Sequence, residues 1–184
     1  NDQYVTGLYL SGVFEMTHHL MGMTDAMMAF YEEPEAMHEL IDYITEYELA
    51  YARVLVDKIH PNCIFHHDDW GGQTNSFVSP AMFEKFFVPA HKKIYGFYKA
   101  NGVELIVHHS DSYAANLVPH MIEMGFDIWQ GVMTTNNTPE LIRKYGGQIS
   151  FMGDIDSGVV DFPDWTPEIA AREVERACRN CGKL

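Results

Sequence analysis

Cysteine is scarce: three residues in 184, at positions 63, 178 and 181. That is too few and too scattered for a disulfide framework, and it fits a reducing compartment. Basic residues are also few, with 12 Lys and Arg against 26 Asp and Glu and a formal charge of −14. Such a field excludes nucleic acid and anionic membrane as natural partners. No stretch approaches the ~20 apolar residues of a membrane span. Nor does a basic segment with an apolar core open the chain. A soluble cytoplasmic protein acting on a small molecule is therefore expected, with a homo-oligomer compatible with the composition. No Gly-x-Gly-x-x-Gly follows an apolar run, which argues against a dinucleotide site. Gly-x-Ser-x-Gly and a phosphate-cradling loop are missing too.

What is present is a 47% hydrophobic composition, enough for one buried domain, and a recurring pattern. The run Glu104-Leu-Ile-Val ends in His108-His109-Ser110-Asp111, after which a helical pattern begins. Three other apolar runs end similarly, at His66-His67-Asp68-Asp69, at Trp129-Gln130 and at Gly153-Asp154-Ile155-Asp156. Polar groups at the carboxyl ends of successive strands are where β/α folds keep their chemistry.

In order along the chain, strands are expected over 4–10, 63–67, 103–109, 127–132 and 149–153. Between them lies first a Met-rich stretch, 13–31, with an expected helix cap at Thr24-Asp25. A long helix starts at Pro34, its face running through Met37, Ile41, Ile44, Tyr47, Tyr51 and Val54, and is broken at His60-Pro61. Helices are also expected from Ser79-Pro80 to Ala100 with a kink near Pro89, over 113–124, after Thr138-Pro139, and from Thr166-Pro167 to Cys178. Strict alternation means a parallel sheet, either open and doubly wound or part of a (β/α)8 barrel. Five units cannot close an eight-stranded barrel, which takes ~250 residues. Asn1 opens almost directly into a strand and Leu184 follows soon after a helix, as expected of a piece of a longer chain.

His109 and Asp111, two apart at a strand tip, share a side if the strand stays extended there, and suit a metal or a hydrogen-bonded pair. His108 then points the other way, into packing or the rim. Alternation divides the 66–69 cluster into His67 with Asp69 and His66 with Asp68, without choosing between them. Gln130 and Asp154 are candidate substrate contacts, while Asp156 suits a turn cap. Glu15, His18 and His19 follow the first strand and could reach the same pocket, though a partly exposed helix is the expected reading; the methionines at 16, 21, 23, 27 and 28 read as core filling or a docking surface for a flat ligand. Cys178-x-x-Cys181 has redox spacing but lies at a helix end without the βαβ context such a motif needs.

Taken together, several of these segments resemble the uroporphyrinogen decarboxylase superfamily, which includes corrinoid-dependent methyltransferases. They are Asp68-Asp69-Trp70-Gly71-Gly72, Ser79-Pro80 through Pro89, His109-Ser110-Asp111 with Pro119 and Glu123-x-Gly125-x-Asp127, and Gly153-Asp154-Ile155-Asp156. The resemblance implies a partial barrel, with the opening units and the last strand outside residues 1–184. It favours Asp68 as a pocket residue and His109, with Asp111 and a group from the 66–69 cluster, as metal ligands, where thiol-specific relatives carry a His-x-Cys pair. It implies zinc, with a corrinoid carried by a partner protein that docks at the barrel mouth. Asp68 or Asp69 would then manage the proton, with His67, Gln130 and Asp154 completing the pocket. Two other activities fall within the same resemblance: decarboxylation of a polycarboxylated tetrapyrrole without metal, and non-catalytic binding of a tetrapyrrole or corrinoid.

Overall fold

The computed structural model describes residues 3–182. Its five strands are β1 (Thr6–Tyr9), β2 (Cys63–His67), β3 (Leu105–His109), β4 (Ile128–Val132) and β5 (Ser150–Gly153). They pair in sequence order, every neighbour parallel. The order decides between the two candidate architectures. A doubly wound sheet reverses its strand order at a switch point, whereas here the order runs in one direction from β1 to β5, as in an arc of a β/α barrel. No helix among the described residues is long and apolar enough to cross a membrane.

The helices are α1 (Val13–Met21), α2 (Met23–Glu32), α3 (Pro34–Ile59), α4 (Pro80–Phe86), α5 (Val88–Ala100), α6 (Val118–Met124), α7 (Thr138–Tyr145), α8 (Ser157–Val160) and α9 (Pro167–Cys181). Three expectations need correction. The Met-rich stretch is two helices meeting at Gly22, so Thr24 and Asp25 lie inside the first turn of α2 and form no side-chain cap. The helix at Pro89 is not merely kinked but divided at Phe87, because proline has no N–H for the preceding turn and prefers a first-turn position. The helix expected from residue 113 begins only at Val118, after a 3-10 turn over Ala115–Leu117. Ser79 and Thr166 do cap α4 and α9, accepting N–H bonds from Met82 and Ile169.

Strand alternation sorts the side chains into two layers. Gly7, Tyr9, Ile64, His66, Ile106, His108 and Trp129 are buried toward the helices. Trp129 donates its indole N–H to the Ser110 carbonyl at 2.9 Å; full burial of a large apolar side chain contributes about 1.5–3 kcal/mol. The opposite layer is open, with Leu8 and Met152 exposed and Phe65, His67, His109 and Gln130 partly so. On α3 the buried stripe is Met37, Ile41, Ile44, Glu48 and Ala52, while Tyr47, Tyr51 and Val54 face outward. The pattern shifts because Glu48 is drawn inward by a histidine of β2.

Candidate active site

Alternation along β2 settles which half of the acidic–imidazole cluster faces the open layer. His67 and Asp69 do, in register with His109, since His67 pairs with His109 and His66 with His108. The His67 and His109 rings stack, and Asp69 lies 3.9 Å from His67 Nε2. One ligand atom from each of His67, Asp69 and His109 lies within 4.8 Å of the others. The three residues are partly exposed, so an ion or substrate can reach them. Two nitrogens and one carboxylate oxygen make a three-ligand set of the kind zinc takes when a further position stays open for substrate.

Asp111, expected beside His109 as a ligand, is not among the three. Its N–H donates to Asp69 Oδ1 at 2.6 Å, because the chain bends away after Ser110. Its exposed carboxylate instead joins the wall of a cavity of about 270 Å³ next to the triad. His109, Gln130, Met133, Ile155 and Val160 line the same cavity. Gln130 Oε1 accepts a short hydrogen bond from His109 Nδ1.

Asp68 belongs to the other layer, and its assignment to the pocket is corrected. It is fully buried. Its carboxylate accepts the N–H groups of Phe14 at 3.0 Å and Glu15 at 2.8 Å, and the Trp70 indole N–H at 3.0 Å. It thereby caps α1, whose own N-cap, Gly12, has no side chain to do so. His91 Nε2 stands 3.4 Å away, an ion-pair contact rather than an aligned hydrogen bond. Burial opposes the charge on both partners, yet their attraction wins: Asp68 is held below the usual carboxylate range and His91 above the usual histidine range.

Around this pair runs a buried chain of polar contacts that sequence reasoning missed. Glu48 meets His66 at 3.0 Å, and the Tyr95 hydroxyl lies 3.2 Å from His66 Nδ1 and 2.7 Å from His108 Nδ1. His108 Nε2 in turn meets the Asp68 carbonyl at 3.1 Å. Burial, together with nearby His66 and His91, keeps His108 neutral by pushing its pKa well down. His108 is thus a packing residue behind the sheet. The signal was available: a glutamate at an inward step of α3 needs a buried partner.

Asp154, expected as a substrate contact, is likewise corrected. Its carboxylate is buried and paired with Arg176 of α9 at 3.0 Å, because the backbone there turns left-handed at φ 64° and directs the side chain toward α9. Asp156 caps α8 through Gly158 N–H at 3.0 Å. The Cys181 thiol lies 3.5 Å from Asp154. Burial and that carboxylate push its pKa up to about 11, so it has little thiolate character. Glu15, expected on a partly exposed helix rather than at the pocket, approaches the triad: its Oε2 is 2.9 Å from His67 Nδ1.

The family model of uroporphyrinogen decarboxylase matches residues 6–183. The chain belongs to the uroporphyrinogen decarboxylase family. Within that family its relatives carry two activities. The uroporphyrinogen decarboxylase of Synechococcus sp. (strain CC9605) is 26% identical over 149 residues, which is 81% of this chain and 40% of that protein. The Nocardia farcinica uroporphyrinogen decarboxylase is 27% identical over 151 residues, 82% of this chain and 40% of its own length. A methylated-thiol–coenzyme M methyltransferase of Methanosarcina mazei is 24% identical over 173 residues, 94% of this chain and 43% of the relative. The chain thus spans about two fifths of the length of the curated relatives it matches.

Proposed function

We propose that this chain carries the reaction site of a corrinoid-dependent methyltransferase, moving a methyl group between a small methylated compound and a corrinoid protein. The observation that carries this reading is the convergence of His67, Asp69 and His109 at the tips of neighbouring strands. The Methanosarcina relative, a methyltransferase by name, gives independent support. Zinc fits the three donors. When bound it would supply Lewis acidity to the heteroatom bearing the methyl group, easing departure of that atom or lowering its pKa for attack. The nitrogen and oxygen donors suit an ether or amine substrate better than a soft thiol.

The chain's own groups do the rest. Met133, Ile155 and Val160 give the cavity an apolar wall on which a small methylated compound can rest. Asp111, which touches the triad through its backbone N–H and also lines the cavity, is placed to hold a proton for the departing heteroatom. The corrinoid protein would dock over the strand tips, the side on which the triad is open.

The family also supports a second reading, decarboxylation of a tetrapyrrole, since the Synechococcus and Nocardia relatives are decarboxylases by name. Metal analysis and turnover separate the two. One tightly bound zinc per chain, with methyl transfer to or from a corrinoid protein that is lost in His109→Ala, supports the first. A metal-free protein that converts uroporphyrinogen overturns it in favour of the second.

A further inference from the structure

Each group of the triad keeps one atom for the space between them and gives the other to a partner. His67 Nδ1 lies 2.9 Å from Glu15 Oε2. A carboxylate only accepts, so the proton sits on Nδ1 and the lone pair on Nε2, the atom that faces Asp69. His109 repeats this: Nδ1 donates to Gln130 Oε1, leaving Nε2 free. On Asp69, Oδ1 accepts the Asp111 N–H at 2.6 Å, and Oδ2 is the oxygen turned toward His67. Three separate pieces of chain, α1, β4 and the loop after β3, thus hold the far sides of the three groups.

We propose that Glu15 and Gln130 are positioning residues of a divalent-metal site, presetting His67 and His109 as Nε2 ligands beside the Asp69 carboxylate. The inference rests on the zinc reading above and deepens it. A carboxylate or carbonyl behind an imidazole fixes its tautomer and ring angle and strengthens it as a donor. Glu15 does more than Gln130, because with Asp69 it brings two negative charges to a dication. Its place is fixed from behind: Asp68 holds the N–H of Glu15 itself, so the buried carboxylate of one layer sets the geometry of the other. That gives Asp68, which never reaches the cavity, a physical connection to the site.

The test is titration of zinc against a chromophoric chelator in the full chain and its variants, with visible absorption of the cobalt(II) form as a second readout. Glu15→Ala is expected to weaken zinc about 10–100-fold with stoichiometry unchanged. Glu15→Gln keeps an acceptor at Nδ1 but removes the charge, and should fall between Glu15→Ala and the parent. Gln130→Glu adds a carboxylate behind His109 and should tighten zinc. The cobalt(II) band should move in the same order, which loss of folding alone would not produce. Glu15 variants that bind zinc as tightly as the parent overturn the proposal. Should Glu15→Ala fail to fold, Gln130→Glu decides, and unchanged or weaker zinc binding there counts against it. A parent protein that takes up no zinc overturns both this inference and the zinc reading. Zinc that is abolished by His109→Ala but indifferent to Glu15 and Gln130 overturns this inference alone.

Discussion

The imidazoles of His67 and His109 lie face to face, ring centroids 4.7 Å apart and planes 14° from parallel. Stacked in this way, both rings can present a nitrogen to the same ion, with the Asp69 carboxylate beside them. His67→Ala and His109→Ala should each reduce zinc to well below one equivalent, measured by elemental analysis after gel filtration. Asp111→Ala should keep the full equivalent, because only its backbone N–H touches the triad. Loss of zinc in Asp111→Ala would restore the ligand pair expected from the strand-tip spacing.

Asp68 is the most heavily bonded carboxylate near the site, and none of its bonds leads into the cavity. Replacing one partner of a buried pair leaves the other charge uncompensated, which costs about 3–5 kcal/mol. Asp68→Asn should lower stability by that order, measured by urea unfolding, with α1 losing hydrogen-exchange protection first. A variant as stable as the parent would mean that α1 does not depend on this cap.

The buried imidazoles give stability a pH dependence whose signs differ. His108 is held below its ordinary pKa of 6.5. Its contribution is complete above that value and is lost as pH falls, since only the unfolded chain then binds the proton. Asp68, also lowered, adds loss on the acid side as pH falls through its folded pKa. His91, raised, acts oppositely: its contribution is present below 6.5 and is lost as pH climbs through its folded pKa. Metal-free protein should therefore weaken in both directions. Below pH 6.5, His108 alone contributes a slope of up to about 1.4 kcal/mol per pH unit. His108→Gln should flatten that limb in urea titrations between pH 7 and 5; an unchanged slope would assign the acid sensitivity elsewhere.

Much of this architecture can be read from residue pattern, because strand ends and helix starts are written locally. Pro34, Ser79-Pro80 and Thr166-Pro167 each open a helix as expected. What the pattern could not supply is depth. Asp68 and Asp69 are chemically identical neighbours, and only the pairing of His67 with His109 shows which one faces the open layer. Asp154 reads as a strand-tip reagent until Arg176, 22 residues away, claims it. Glu48 was overlooked and Glu15 passed over for the same reason: their meaning depends on His66 and His67, which are distant in sequence.

Gly131 offers a way to disturb the site from outside the triad. Its φ of 88° is costly for any residue with a side chain, and a Cβ there would stand 3.1 Å from both Cε1 and Nδ1 of His109. The left-handed conformation alone costs roughly 1–2 kcal/mol, while the contact would also crowd the His109 nitrogen that bonds Gln130. Gly131→Ala should thus lose stability and bind zinc more weakly than the parent. Gly147 is the matched control, since its φ is 84° and a Cβ would meet nothing within 4 Å. Gly147→Ala should show the stability loss with zinc affinity unchanged, measured by the same chelator competition. Equal zinc affinity in the two variants would mean that the seat of the His109 ring against β4 does not govern the ligand.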